Sequence, residues 1–186
     1  MRLFLAINLP ESVRQALWEA AGPLRAASFP IRWVAPESIH LTLRFLGEVA
    51  PQRQAEIVTA AEQAAEGAKP FTLGIEGFGA FPTVERPRVV WAGCEAAPAL
   101  ELLQHRVEQA MEGVGFPIEG RPFHPHLTLG RVQRNAKRSA LRDFAAALEP
   151  LAYSADVTAT SLDLMQSTLS REGARYTVVH AVAFAP

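Results

Sequence analysis

The tetrapeptide His-Leu-Thr-Leu occurs twice, at His40–Leu43 and at His126–Leu129. A shuffled chain of the same composition would contain it roughly 0.003 times by pattern matching, so two copies mark a repeated unit. The segments around them agree. Each half of the chain reads helix, loop, histidine strand, helix, strand, strand, and in each a proline (Pro36, Pro122) lies four residues before the histidine. The unit is too long and too few in number for a solenoid.

In the first half, Pro10-Glu11-Ser12 opens a helix that runs to about Ala21 and stops at Gly22-Pro23. A loop with Pro30 and Pro36 leads to a strand over His40–Leu46. A helix follows from Pro51 to Glu66, with Gly67 as its stop, then strands over Phe71–Phe78 and Arg88–Ala92. In the second half, Leu100, Leu103, Val107 and Met111 have helical spacing within Ala97–Val114. A strand over His126–Val132, a helix over Lys137–Leu148 and strands over Ala155–Met165 and Ala174–Phe184 complete it. An extra apolar strand, Arg2–Asn8, precedes the first unit. The expectation is an α+β fold, with residues 1–186 as a single two-lobed domain. Its two units are related by a pseudo-twofold, with antiparallel sheets flanked by helices and the histidine strands facing each other across a central cleft.

Strand side chains alternate between faces. His40 and Thr42 therefore share one face, as do His126 and Thr128, while the leucines face the helices. Arg44 is expected to continue the polar face. Two histidines can divide acid and base work near neutral pH, because the ordinary imidazole pKa lies there. Threonine hydroxyls and the nearby Arg131 can hold phosphate oxygens. The chemistry suggested is acid–base cleavage of a phosphodiester without a metal. His124-Pro125-His126 could supply two metal ligands, but no Asp or Glu lies within either motif.

The formal net charge of −1 excludes a general polyanion coat, so an anionic ligand must be caught by a few placed groups. One cysteine, Cys94, excludes an internal disulfide framework and fits a reducing cytoplasm. The apolar opening reads as a first strand rather than an export signal, and no segment has the apolar length to span a bilayer. Phe45, Phe81, Phe123 and Tyr176 are expected to pack in cores, with base stacking as the alternative. Arg121, Arg134, Lys137 and Arg138 read as a solvated basic rim. His105, His180 and Cys94 read as structural.

His40 to Val49 and Phe123 to Arg131 resemble the two signatures of the two-histidine phosphoesterase superfamily. Within it the chain is similar to the bacterial and archaeal RNA 2′,3′-cyclic phosphodiesterases, long called 2′-5′ RNA ligases. The similarity extends to the opening Met1–Ile7, the Gly77–Pro82 turn, Pro87–Trp91 and the stretch from Ser167 to Tyr176. The resemblance implies a site between two lobes and opening of an RNA 2′,3′-cyclic phosphate to a 2′-phosphate. It implies His40 and His126 as catalytic residues and Thr42, Thr128 and Arg131 as substrate-binding residues. In the hydrolytic direction the family points to His40 as acid and His126 as base, an order the sequence itself does not fix and that reverses in the ligating direction. No metal and no cofactor is expected, and the absence of a glycine-rich nucleotide loop gives no support to an ATP-driven ligase. The implied partner is RNA with a cyclic phosphate end, tRNA fragments among the candidates. A cytoplasmic monomer is expected. A phosphodiesterase for a small cyclic phosphate, an ATP-independent 2′-5′ ligase and a non-catalytic RNA-end binding module stay open as alternatives.

Overall fold

The computed structural model describes residues 1–170 and 173–186. Its first half contains β1 (Arg2–Asn8), α1 (Glu11–Ala20), α2 (Gly22–Ala26), β2 (Ile31–Trp33), β3 (His40–Glu48), α3 (Gln54–Ala65), β4 (Phe71–Thr83) and β5 (Arg86–Cys94). The second contains α4 (Pro98–Gly113), β6 (His126–Val132), α5 (Phe144–Leu148), β7 (Ser154–Ala159), β8 (Ser161–Ser170) and β9 (Gly173–Ala183).

The strands form one antiparallel sheet in the order β7-β4-β5-β6-β3-β1-β8-β9, with β2 paired to the far end of β6. The two histidine strands are neighbours at the centre, joined at Leu41↔Leu127. Along that order each wing is a histidine strand and three more, and β2 adds one strand beside β6. The hairpins, however, are exchanged. The β4–β5 hairpin of the first half flanks β6, and the β8–β9 hairpin of the second half joins β1 beside β3. Each wing therefore mixes the two sequence repeats.

Apolar periodicity accounts for the packed face. Leu3, Leu5 and Ile7 of β1 and Leu41 and Leu43 of β3 lie in one cluster with Ile57, Ala60, Ala61 and Ala64 of α3. The helical stripe of α4 joins it: Leu100, Leu103, Val107 and Met111 are all buried. Burying one such aliphatic side chain stabilises by about 1.5–3 kcal/mol. A second cluster packs Leu24 of α2 and Phe144 and Leu148 of α5 against Ile31, Ala80 and Val90. On the opposite face of the sheet, Phe4, Ala6 and Met165 form a small third cluster under Tyr176.

Three local expectations are corrected. Ala155–Met165 is not one strand. It is β7 and β8, separated by Thr160 and lying in different wings. The wings converge there: the Phe71 and Phe184 rings stack at 6.0 Å, and the Ala185 amide donates to Ala68 O. The helix expected over Lys137–Leu148 is a 3₁₀ turn at Arg138–Leu141 followed by the single-turn α5. Only Phe144 and Leu148 of α5 are buried, with Ala147 packed beside them, too short a stripe to hold a longer helix there. Ile31–Trp33, read as loop, is β2. Its anchor is Gly130, where an added Cβ would meet Ile31 Cγ2 at 2.6 Å and Trp33 Cε3 at 2.9 Å.

Candidate active site

The junction of the two units sets the site. Leu41 and Leu127 are fully buried, so their neighbours His40, Thr42, His126 and Thr128 project from the other face, all half-buried. Continuing the Leu41↔Leu127 register by one residue sets His40 opposite Thr128 and Thr42 opposite His126. The structure thus brings together both expected histidine–threonine pairs.

The imidazoles are held in the same way. His40 Nδ1 lies 2.8 Å from Ser38 O, and His126 Nδ1 lies 2.7 Å from His124 O. A carbonyl only accepts, so Nδ1 carries the hydrogen in both rings. Each Nε2 then holds the lone pair when the ring is neutral and a second hydrogen when it is charged. The ring contacts differ. His40 stacks on Phe4 at 4.8 Å and meets Tyr176 edge-on at 4.9 Å. Burial there pushes its pKa down to about 4, against the opposing effect of the Ser38 hydrogen bond. His126 meets Phe81 edge-on at 4.9 Å. Its pKa is also lowered, first by burial and then by the Arg131 and His124 charges, while the His124 carbonyl works in the other direction.

Two adjoining cavities of about 440 and 530 Å³ open on this face. His40 and Tyr176 line the first; His126, His124 and Arg121 line the second. Thr42, Phe45, Thr128 and Arg131 line both. The expected binding residues therefore stand between the two imidazoles, at the join of the cavities.

A β-bulge follows each threonine. On β3 the register passes from Ala6↔Thr42 to Leu5↔Arg44, leaving Leu43 without a partner in β1. On β6 it passes from Trp91↔Thr128 to Val90↔Gly130, leaving out Leu129 of β6. The extra residue reverses the alternation beyond it. Phe45 and Arg131 consequently take the cleft face, and Arg44 does not. Arg44 is only 5% exposed, which corrects its placement on the polar face. Its Nη1 lies 3.3 Å from Glu108 and 3.1 Å from Glu119, and its Nη2 donates to Pro117 O. Glu108, also buried, accepts from Gln104 and the Glu119 amide. This network ties β3 to α4 and to the segment leading into β6.

The aromatic side chains lie closer to the site than expected. Phe45 is 56% exposed, and neither it nor Phe81 belongs to a core cluster. Phe123 and Tyr176 pack against cores with one side and line the cavities with the other. Phe4, which the sequence marked only as a strand residue, forms the floor beneath His40. Ser38 and His124 act through their carbonyls, which residue type does not reveal; the common spacing of two residues before each histidine is the signal that could have found them. Of the basic cluster, Arg121 lines the site, whereas Arg134 and Arg138 line a separate cavity of about 280 Å³. His105 is exposed on α4, and His180 pairs with Glu62 at 3.0 Å. Burial pushes the Cys94 thiol up to about 12, so it is no ready nucleophile. Among the described residues, no three His, Cys, Asp or Glu side chains are grouped to hold a metal ion, and no helix is long and apolar enough to cross a membrane.

Comparison with known proteins adds a family. Residues 13–171 match the model of the 2′-5′ RNA ligase superfamily. The RNA 2′,3′-cyclic phosphodiesterase of Methanothermobacter thermautotrophicus is 31% identical over 95% of this chain and 95% of its own length. Among solved structures, TT0787 of Thermus thermophilus superposes with a TM-score of 0.85 at 30% identity, covering 99% of this chain and 98% of that one. LigT of E. coli, solved with 3′-AMP, gives 0.77 at 29% identity, covering 100% and 98%.

Proposed function

Because the chain belongs to the 2′-5′ RNA ligase superfamily, we propose that it hydrolyses the 2′,3′-cyclic phosphate at an RNA end to a 2′-phosphate by acid–base catalysis between His40 and His126. The observation that carries this reading is the matched anchoring of the two rings across one join. Each Nδ1–H is spent on a backbone carbonyl, and Thr42, Thr128 and Arg131 line the space common to both cavities.

The phosphate occupies that join. The threonine hydroxyls donate to its non-bridging oxygens, and the Arg131 guanidinium offers two parallel N–H groups. Burial keeps His126 neutral at pH 7, as a base requires. Its Nε2 takes a proton from water while the water oxygen bonds to phosphorus in line with the 3′ oxygen. The bond from phosphorus to that oxygen breaks, and His40 Nε2–H protonates it. The product is a 2′-phosphate and a free 3′-hydroxyl. His40 is neutral in the empty site at pH 7, so it gains its proton as the phosphate arrives: a negative charge in the cavity favours the imidazolium. Each proton transfer is worth about 10²–10⁴-fold in rate.

Base, acid and positive charge all come from side chains, so the reaction needs no metal and no cofactor, and one chain supplies every group. The substrate is the cyclic end of RNA fragments, those of tRNA included. Incubation of the protein with an oligonucleotide ending in a 2′,3′-cyclic phosphate, in excess chelator, tests the reading. A 2′-phosphate product is expected. Loss of activity in chelator that zinc or manganese restores would overturn the metal-free mechanism. Equal product release by the wild type and His126→Ala would favour a binding module over an enzyme.

A further inference from the structure

Arg32 of β2 stands in direct register with Arg131 of β6. Directly opposed residues of an antiparallel pair share one face, so Arg32 lies on the cleft face beside the guanidinium assigned to the reacting phosphate. Val34, just past the end of β2, lines the His40 cavity; its amide donates to Leu129 O at 2.8 Å. The position of β2 is closely set, because Ile31 and Trp33 leave no room for a Cβ on Gly130. Both arginines are exposed, and among the described residues neither guanidinium has a hydrogen bond or ion pair. Like charges directly opposed on a sheet are destabilising. An unpaired guanidinium next to Arg131, which itself lines both cavities, in a chain whose net charge is −1, forms an arrangement that anions relieve.

We propose that Arg32 holds a second phosphate of the substrate, the one 5′ to the terminal nucleotide, and so makes the site selective for an RNA strand over a mononucleotide. The inference rests on the phosphodiesterase reading. The Cβ atoms of a directly opposed pair are about 4.5–5.5 Å apart. Two long side chains starting that close can fan out to successive phosphates, Arg131 inward and Arg32 outward along the strand. A nucleoside 2′,3′-cyclic phosphate has no such upstream charge and leaves Arg32 without a ligand.

The test compares kcat/KM for a nucleoside 2′,3′-cyclic phosphate with kcat/KM for a trinucleotide ending in the same group. In Arg32→Gln the ratio of trinucleotide to mononucleotide is expected to fall about tenfold, the size of one lost charge-assisted contact, mainly through KM. The salt slope for the trinucleotide is expected to lessen by about 0.7. Arg32→Lys is expected to restore part of the ratio. An unchanged ratio, whether from equal losses on both substrates or from none, would overturn the second phosphate site. Wild-type protein inactive on both substrates would instead overturn the phosphodiesterase reading beneath it.

Discussion

Phe45 and Arg131 occupy equivalent positions on the two histidine strands, each five residues after its histidine and each turned to the cleft by the bulge that follows the threonine. Both line the two cavities. A duplicated frame thus presents a phenyl ring on one side and a guanidinium on the other, and that asymmetry suits a ligand with one charged group and one planar group. Arg131→Gln is expected to lower kcat/KM by about 10- to 100-fold on every cyclic phosphate substrate, as loss of a charge-assisted contact does. Phe45→Ala is expected to raise KM by about 5- to 100-fold with little change in kcat, as loss of base stacking does. Being 56% exposed, Phe45 should contribute little to stability. Steady-state kinetics and thermal melts of the two variants check both statements.

His40→Ala and His126→Ala are each expected to reduce kcat by about 10²–10⁴-fold. The double variant should fall well short of the product of the two losses if, as proposed, the two rings act as acid and base in one step. Fully additive losses, measured as 2′-phosphate release, would mean that the two rings do not serve the same phosphate.

The pH profile follows from the two lowered pKa values. The proposed mechanism needs one imidazole protonated and the other neutral, which would place the peak of kcat/KM midway between the pKa values of the free protein. One is about 4 and the other lies below the ordinary 6.5. The maximum is therefore expected well on the acid side of the ordinary imidazole value of 6.5, with activity falling as the pH rises above it, whichever ring is the acid. A profile still climbing at about pH 7.5 would contradict the burial of both rings. Proton uptake on binding of inorganic phosphate at pH 7, read by calorimetry in buffers of different ionisation enthalpy, is the companion measurement.

Arg44→Ala leaves the buried Glu108 without its cation. The expected cost is about 3–5 kcal/mol in denaturant unfolding, the usual result of breaking one side of a buried pair. Replacing both partners, Arg44→Met with Glu108→Leu, should recover most of it. The segment anchored by Arg44 carries Arg121, Phe123 and His124 to the site, so KM is expected to rise in Arg44→Ala under conditions where the protein remains folded.

The sequence by itself determined the duplicated unit, the extents of β1 and β6, the buried stripe of α4 and the common face of each histidine and its threonine. These are short-range properties: a repeat of two along a strand and of 3.6 along a helix holds wherever the segment is placed. Only the tertiary structure decided the exchange of hairpins between the wings, the direction of Arg44, and the pairing that brings Arg32 beside Arg131. A bulge arises where two strands distant in sequence are matched with one residue left over, and nothing within Leu43-Arg44-Phe45 records the strand it will meet. The charge state of His40 was likewise decided in three dimensions. Its neighbours Phe4 and Tyr176 come from opposite ends of the chain, and the water they displace from the ring is what holds it neutral.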